Sequence, residues 1–328
     1  MARSDSGFLV LDNGKGLRGV FSTLGAGVRY LTLDDIPLLL TPDKDEDYLS
    51  SPQFFGKTLG RFAGRHVAKG TLNGKPYSLD EEKPGSNVCL HGGFLKSFSY
   101  QPFEATYQED KDSISLVFTR LSPDGECGFP GNLTLKVIYK MSRDLNVFSL
   151  RYEATSDEDT FVNITNHMYW NITNQEDVNP YWLTVKASKV GIFAPHSLLI
   201  GGTAMVPDAL DFREGASLKV KLDEIERDLP AVGTLDHCFL FDKKTLAEPQ
   251  VVLDTPKVKI SCFTDFEAAN IYVDSTLVPM AFKNNPHLTT MKRRGIAIEP
   301  ENFPISSSIL LKKGETYSHL ITYQFQKK

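Results

Sequence analysis

The sequence predicts an all-β fold of antiparallel strands with few short helices, and three observations predict it. Apolar and polar residues alternate with period two in one segment after another from residue 113 onward. Turn pairs such as Asn73-Gly74 stand between β-prone runs, as tight hairpins require. Helical periodicity is scarce: one short candidate, LDEIERDL from Leu222, is too little for a doubly wound α/β fold. The spacing of the strands suits a sandwich or a barrel. No linker rich in Gly, Ser or Pro, no low-complexity tract and no repeat divides the 328 residues, so one large domain, 1–328, is the economical expectation.

The elements justify this in order. GFLVLDNGKGLRGVFS and VRYLTLDDIPLLLTPD, in the first forty or so residues, read as short strands around turns. DKDEDYLS, from Asp43, carries alternating aspartates but has Tyr48 where a calcium loop needs glycine and Phe54 where it needs glutamate, so it reads as a solvated acidic turn. FGKTLGR contains Gly-Lys-Thr without the earlier glycine of a phosphate loop. TLNGKPYSL reads as a hairpin. NVCLHGG (87–93) puts a histidine before two glycines, where backbone turns sharply or lets something approach. Ile114, Leu116 and Phe118, then Leu133 to Met141, then Phe148, Leu150 and Tyr152 mark amphipathic strands. LDHCFLF, VKISCF, ANIYVDS, a strand from Arg293 that ends at Pro300, and a last strand over roughly 316–326 follow.

Between them lies FVNITNHMYWNI (161–172). As one strand it puts Val162, Ile164, Met168, Trp170 and Ile172 on one face, broken by Asn166, and Phe161, Asn163, Thr165, His167, Tyr169 and Asn171 on the other. The first face suits a core. The second offers amides, hydroxyls, aromatic rings and an imidazole, which match the hydroxyls and the C–H surface of a sugar. An isolated strand of this kind is more often a half-exposed sheet with a solvated histidine, so the rest of the chain has to decide.

Composition narrows the classes. A net charge of -5 argues against a general binder of nucleic acid or anionic membrane, and no apolar run reaches a membrane span. No signal-peptide h-region is visible near the start, and the four widely spaced cysteines read as free thiols in a reducing cytoplasm. On that reading the N-x-[ST] matches at Asn132, Asn163 and Asn171 are strand residues rather than glycosylation sites. No HExxH, CxxC or dense His/Asp cluster supports a metal site, and no G-x-S-x-G supports a serine hydrolase. What remains is Glu299 at a strand end, Asp236 in a β segment, His91, His167 and Arg65. Those groups suit acid–base chemistry on a neutral polar substrate.

GRFAGRH (60–66), NVCLHGG (87–93), TNHMYWNI (165–172), LDHCF (235–239) and GIAIEPENFP (295–304) occur in this order and span most of the chain. Together they resemble the aldose 1-epimerase (galactose mutarotase) family, whose patterns run GR-aromatic-A-N-R, N-x-L-H-G-G, TNH-x-aromatic-x-N-L, DH-x-F and G-x-x-x-E-x-Q-N-F-P. The resemblance implies a large antiparallel β-sandwich, the galactose mutarotase-like supersandwich, with a sugar site on a concave sheet. It implies interconversion of α and β anomers of a free aldose such as galactose or glucose, with no cofactor and no metal. Glu299 would be the base, His167 the acid, and Arg65, His91, Asp236 and Asn270 would hold the sugar. The acid and base are expected on opposite sides of the C1–O5 unit, about a sugar ring apart. Gly64, Asn270 and Glu301 stand where the family commonly has asparagine, glutamine and glutamine, and the tryptophan usual after LHGG is missing. A second carboxylate beside Glu299 raises the proton affinity of one of the two.

Three other readings compete. A glycoside-processing enzyme would use Asp236 with Glu299. A non-catalytic sugar binder would not need a matched acid and base. An epimerase for a phosphorylated hexose would want more cations than Arg65, with Arg293 and Arg294 the candidates.

Overall fold

A computed structural model describes residues 2–3, 8–93, 96–172, 177–195, 197–275, 282 and 292–328. Two large antiparallel sheets dominate it. The nine-stranded sheet runs Glu104–Glu109, Ser113–Ser122, Leu133–Ser142, Val147–Ser156, Thr316–Lys327, Val258–Thr264, Val251–Asp254, Trp182–Val185 and Ala216–Ser217. The six-stranded sheet runs Tyr169–Trp170, Ile296–Glu301, Ala268–Val273, Asp236–Leu240, Lys189–Phe193 and Ile200–Met205. Their facing sides share one core. Leu135, Val137, Leu150 and Ile321 of the first meet Trp170, Ile271, Ile296 and Ile298 of the second. Trp170 packs on Tyr323 with ring centroids 4.8 Å apart. Full burial of such side chains is worth about 1.5–3 kcal/mol each. The sandwich is thus the one the alternation requires: each strand has one apolar side, and two sheets hide those sides against each other.

The outer face of the six-stranded sheet carries the other half of each alternation. Ile296 and Ile298 point into the core, whereas Glu299 and Glu301 leave it; Ile271 and Val273 point in, whereas Asn270 and Tyr272 point out.

The expected hairpin is present as Lys69–Leu72 and Lys75–Ser78 around Asn73 and Gly74, both at positive φ. The helix expected from Leu222 is Leu218–Asp228, with Leu218, Leu222 and Ile225 buried.

Three expectations need correction. DKDEDYLS is not a solvated turn: Asp45–Ser50 form a short α-helix with Tyr48 buried. Its acidic residues lie in the first turn, where the helix dipole favours them, and Arg29 pairs with Asp45 at 3.2 Å and lies over the Tyr48 ring. Segment 161–172 is not one strand but three two-residue pieces, Thr160–Phe161, Thr165–Asn166 and Tyr169–Trp170, each paired to a different partner. Its core face holds, because Ile164, Met168 and Trp170 are fully buried. Asn166 also faces inward, donating to Gly56 O at 2.7 Å and Tyr139 Oη at 3.1 Å. Finally, the Glu299 strand does not end at Pro300. Pairing continues through Pro300 with Ala269 and Glu301 with Ala268.

Candidate active site

The outer face of the six-stranded sheet floors a cavity of about 420 Å³. All six residues singled out from the sequence line it: Glu299, His167, Arg65, His91, Asp236 and Asn270. The register explains how they meet. Asn270 pairs with Glu299 on one side and Cys238 on the other. Tyr169 pairs with Ala297, so two residues along each antiparallel strand His167 falls opposite Glu299. Cys238, Asn270 and Glu299 therefore form one row across three neighbouring strands, and His167, just before the fourth strand, extends it. Asp236, Tyr272, Ala297 and Tyr169 form the next row.

That row corrects the expected spacing of acid and base. His167 Nε2 lies 3.6 Å from Glu299 Oε1, not a sugar ring away. Residues directly opposite in an antiparallel pair have Cβ atoms roughly 5 Å apart, so their side chains cannot straddle a ring.

The loops over the sheet supply the rest. Arg65–Val67 and Val88–Leu90 form a two-stranded ribbon, with Arg65 paired to Leu90. Arg61 anchors the approach to it. The guanidinium is buried and donates to Ser122 Oγ and to the carbonyls of Ser122, Pro123, Pro130 and Gly131. Arg65 then donates to Asp236 Oδ2 at 3.3 Å, and Asn270 Nδ2 donates to Asp236 Oδ1 at 3.2 Å. His91, at φ 50, opens the sharp turn expected of His-Gly-Gly. Gly92 allows backbone contact there, since a Cβ would lie 2.2 Å from Gly60 O. The Gly64 N–H donates to His91 Nδ1 at 3.2 Å, so the His91 proton sits on Nε2.

Burial sets the electrostatics. It pushes the Glu299 carboxyl well above the usual carboxylate range, with the charges of Glu301 and Asp236 adding to it and Arg65 and Asn270 opposing. It pushes His167 down to about 4. His91 is lowered well below an ordinary histidine by burial, then by His167 and Arg65. Burial therefore favours the protonated form of the Glu299 carboxyl and leaves both imidazoles uncharged at neutral pH.

His91, His167 and Glu299 each bring one ligand atom within 4.8 Å of the others, a set that could hold a metal ion. The outer shell does not fit one. A histidine bound through Nε2 needs its proton on Nδ1, where the Gly64 N–H already donates.

Asn163, like Phe161, Thr165 and Asn171, does not line the cavity. It was expected on the cavity side but is fully buried, and it exchanges hydrogen bonds with the backbone of Asn302 at 2.9 and 3.0 Å. Of the polar face of 161–172, His167 and Tyr169 line the cavity. Cys238 and Tyr272 went unnoticed in the sequence, although each alternates with a residue already named there. Phe54 was missed too. Its ring stacks on His167 at 6.1 Å and meets His91 edge-on at 4.9 Å, from a loop position at φ 57 that no strand pattern announces.

Comparison with known proteins decides the family. Residues 8–324 match the aldose 1-epimerase family. The chain belongs to it. Among aldose 1-epimerase relatives, a galactose mutarotase from Bos taurus is 31% identical over 307 residues, covering 86% of this chain and 82% of its own. A maltose epimerase from Levilactobacillus brevis is 27% identical over 323 residues, covering 94% and 88%. The solved galactose 1-epimerase from Lactobacillus acidophilus NCFM shares the fold, with TM-score 0.85, 23% identity and coverage of 100% and 97%. This chain is an isomerase of the aldose 1-epimerase family.

Proposed function

We propose that the cavity interconverts the α and β anomers of a free aldose through Glu299 and His167. The observation that carries this reading is their position side by side in the cavity, with one proton to exchange. O1 and O5 of a pyranose are bonded to the same carbon, so two adjacent groups can serve both. The Glu299 carboxylate takes the C1 hydroxyl proton while the His167 imidazolium gives one to O5, and the C1–O5 bond breaks. The aldehyde turns about C1–C2. Then His167 takes the O5 hydroxyl proton, the Glu299 carboxyl returns its proton to O1, and the ring closes on the other face. The proton count is unchanged over the cycle. The arrangement that burial favours, carboxyl with neutral imidazole, is the one the open-chain aldehyde meets. Moving one proton from the carboxyl to the imidazole gives the one the ring meets.

Neighbouring residues disfavour two other readings. Asp236 is held by Arg65 and Asn270, which leaves it poorly suited as the second carboxyl of a glycoside hydrolase. For a phosphorylated hexose, Arg65 is the single cation among the described lining residues. Arg293 pairs with Asp223 and Glu226, and Arg294 lies near Asp274. Four buried free cysteines suit a reducing compartment such as the cytoplasm.

Polarimetry on freshly dissolved α-anomers tests the reaction and its substrate range. The cavity extends past the acid–base pair to an apolar rim of Phe193, Leu198 and Ile200, and Gly64 adds no side chain beside Arg65. With a maltose epimerase among the relatives, maltose and lactose are expected to be turned over as well as glucose and galactose. Turnover of monosaccharides alone would reject the extended site.

Arg65→Ala is expected to raise KM by about 10–100-fold and to lower kcat too, since it removes a charged donor and leaves the Asp236 charge near Glu299 without its partner. Unchanged kinetics would place Arg65 outside the sugar site.

A further inference from the structure

We propose that Glu301 is a second carboxyl that touches the substrate, donating a hydrogen bond from Oε2 to a sugar hydroxyl and so helping to set which aldoses the cavity accepts. This rests on the reading that C1 of the sugar lies at Glu299 and His167. Glu301 follows Glu299 by two residues on a strand that stays paired through Pro300, so both carboxyls face the cavity. Two residues of strand span about 7 Å, which takes Glu301 from the anomeric carbon toward the far side of one ring.

The surroundings of Glu301 assign its proton. Glu299 flanks it on its own strand. Asp236 and Cys238 approach it from the strand Asp236–Leu240, one strand beyond the neighbouring Ala268–Val273, Arg65 and Gly64 from the ribbon, and Tyr317 from the nine-stranded sheet. The one cation among these, Arg65, is committed to Asp236. Cys238 Sγ–H donates to Glu301 Oε1 at 3.6 Å, and burial pushes that thiol well above its ordinary range, so it keeps its proton. Oε1 is therefore the acceptor of the carboxyl, and the acid proton belongs on Oε2. Among the described residues Oε2 has no partner. It is buried and lies toward Gly64, where a Cβ would stand 3.3 Å away and press on it. Burial raises Glu301 to about 8, so the acid form prevails at neutral pH. A buried O–H without an acceptor is costly, and a sugar hydroxyl supplies one.

The test compares the wild type, Glu301→Gln and Glu301→Ala. Calorimetry measures sugar affinity and polarimetry measures kcat and KM, from about pH 6 to about pH 9. The probes are glucose, galactose and their 3-, 4- and 6-deoxy analogues. At neutral pH, Glu301→Ala is expected to weaken binding of the parent sugar about tenfold with kcat little changed. The penalty should vanish for one deoxy sugar alone, the one lacking the hydroxyl that Glu301 contacts. Glu301→Gln keeps an N–H donor of the same shape and should restore affinity. As pH rises through about 8, the wild type loses the donor and gains a negative charge beside Glu299, so its kcat/KM should fall. Glu301→Gln should lack that fall. Equal losses for every deoxy sugar would mean that Glu301 only supports the wall, and would overturn the proposal. So would wild-type affinities in Glu301→Ala, or the same alkaline fall in Glu301→Gln. Sugar binding without anomer exchange would overturn the epimerase reading instead, while the binding data still judged Glu301.

Discussion

Glu299→Gln is expected to slow anomer exchange by about 10²–10⁴-fold while leaving sugar affinity nearly intact. Glutamine keeps the shape and one hydrogen-bonding oxygen but cannot carry the proton. Burial shifts the wild-type carboxyl toward its neutral, protonated form, which the amide resembles in charge. The loss should therefore fall on kcat. The rival base is Glu301, which faces the same cavity. Measured side by side at neutral pH, Glu301→Gln should exchange anomers at a near-normal rate. Collapse in Glu301→Gln with normal rates in Glu299→Gln would make Glu301 the base.

His167→Asn is expected to cost a similar factor, about 10²–10⁴-fold, for the complementary reason. The ring oxygen must receive a proton in opening and surrender it in closing, and asparagine does neither. His167 Nε2 and Glu299 Oε1 lie 3.6 Å apart, and the proposed cycle needs a proton movement at both. The double variant Glu299→Gln/His167→Asn should then be little slower than either single variant, because each change alone breaks the same proton cycle. Rates from polarimetry decide this. Strict multiplication of the two single losses would show that the residues act independently and would break the paired mechanism.

Much of this site was legible in the sequence because β-structure writes its faces locally. Ile298 followed by Glu299, or Ile271 following Asn270, declares which side chain enters the core without reference to any other strand. The same rule correctly sent Ile164, Met168 and Trp170 inward and His167 outward, even though their segment breaks into three short pieces. Alternation failed at Asn163, because a polar side chain can leave the core face and still be buried if backbone groups satisfy it. Here the Asn302 backbone does so. The acidic run at Asp45–Ser50, expected as a solvated turn once its calcium-loop pattern failed, forms a helix around one buried tyrosine, over which Arg29 lies.

The sequence by itself determined the all-β class, the inward and outward sides of the main strands, and the six polar residues that line the cavity. The class and the sides of the strands follow from each residue and its near neighbours in the chain, whereas the choice of the six, Asn270 above all, came from the resemblance of the motifs to the aldose 1-epimerase family. Only the tertiary structure decided that His167 and Glu299 lie 3.6 Å apart, that Arg65 spends its charge on Asp236, and that Glu301 turns an unpartnered oxygen toward Gly64. Each of these depends on register between strands far apart in the chain. A shift of one residue in that register leaves every local pattern in the sequence unchanged, yet moves each side chain to the opposite face of the sheet.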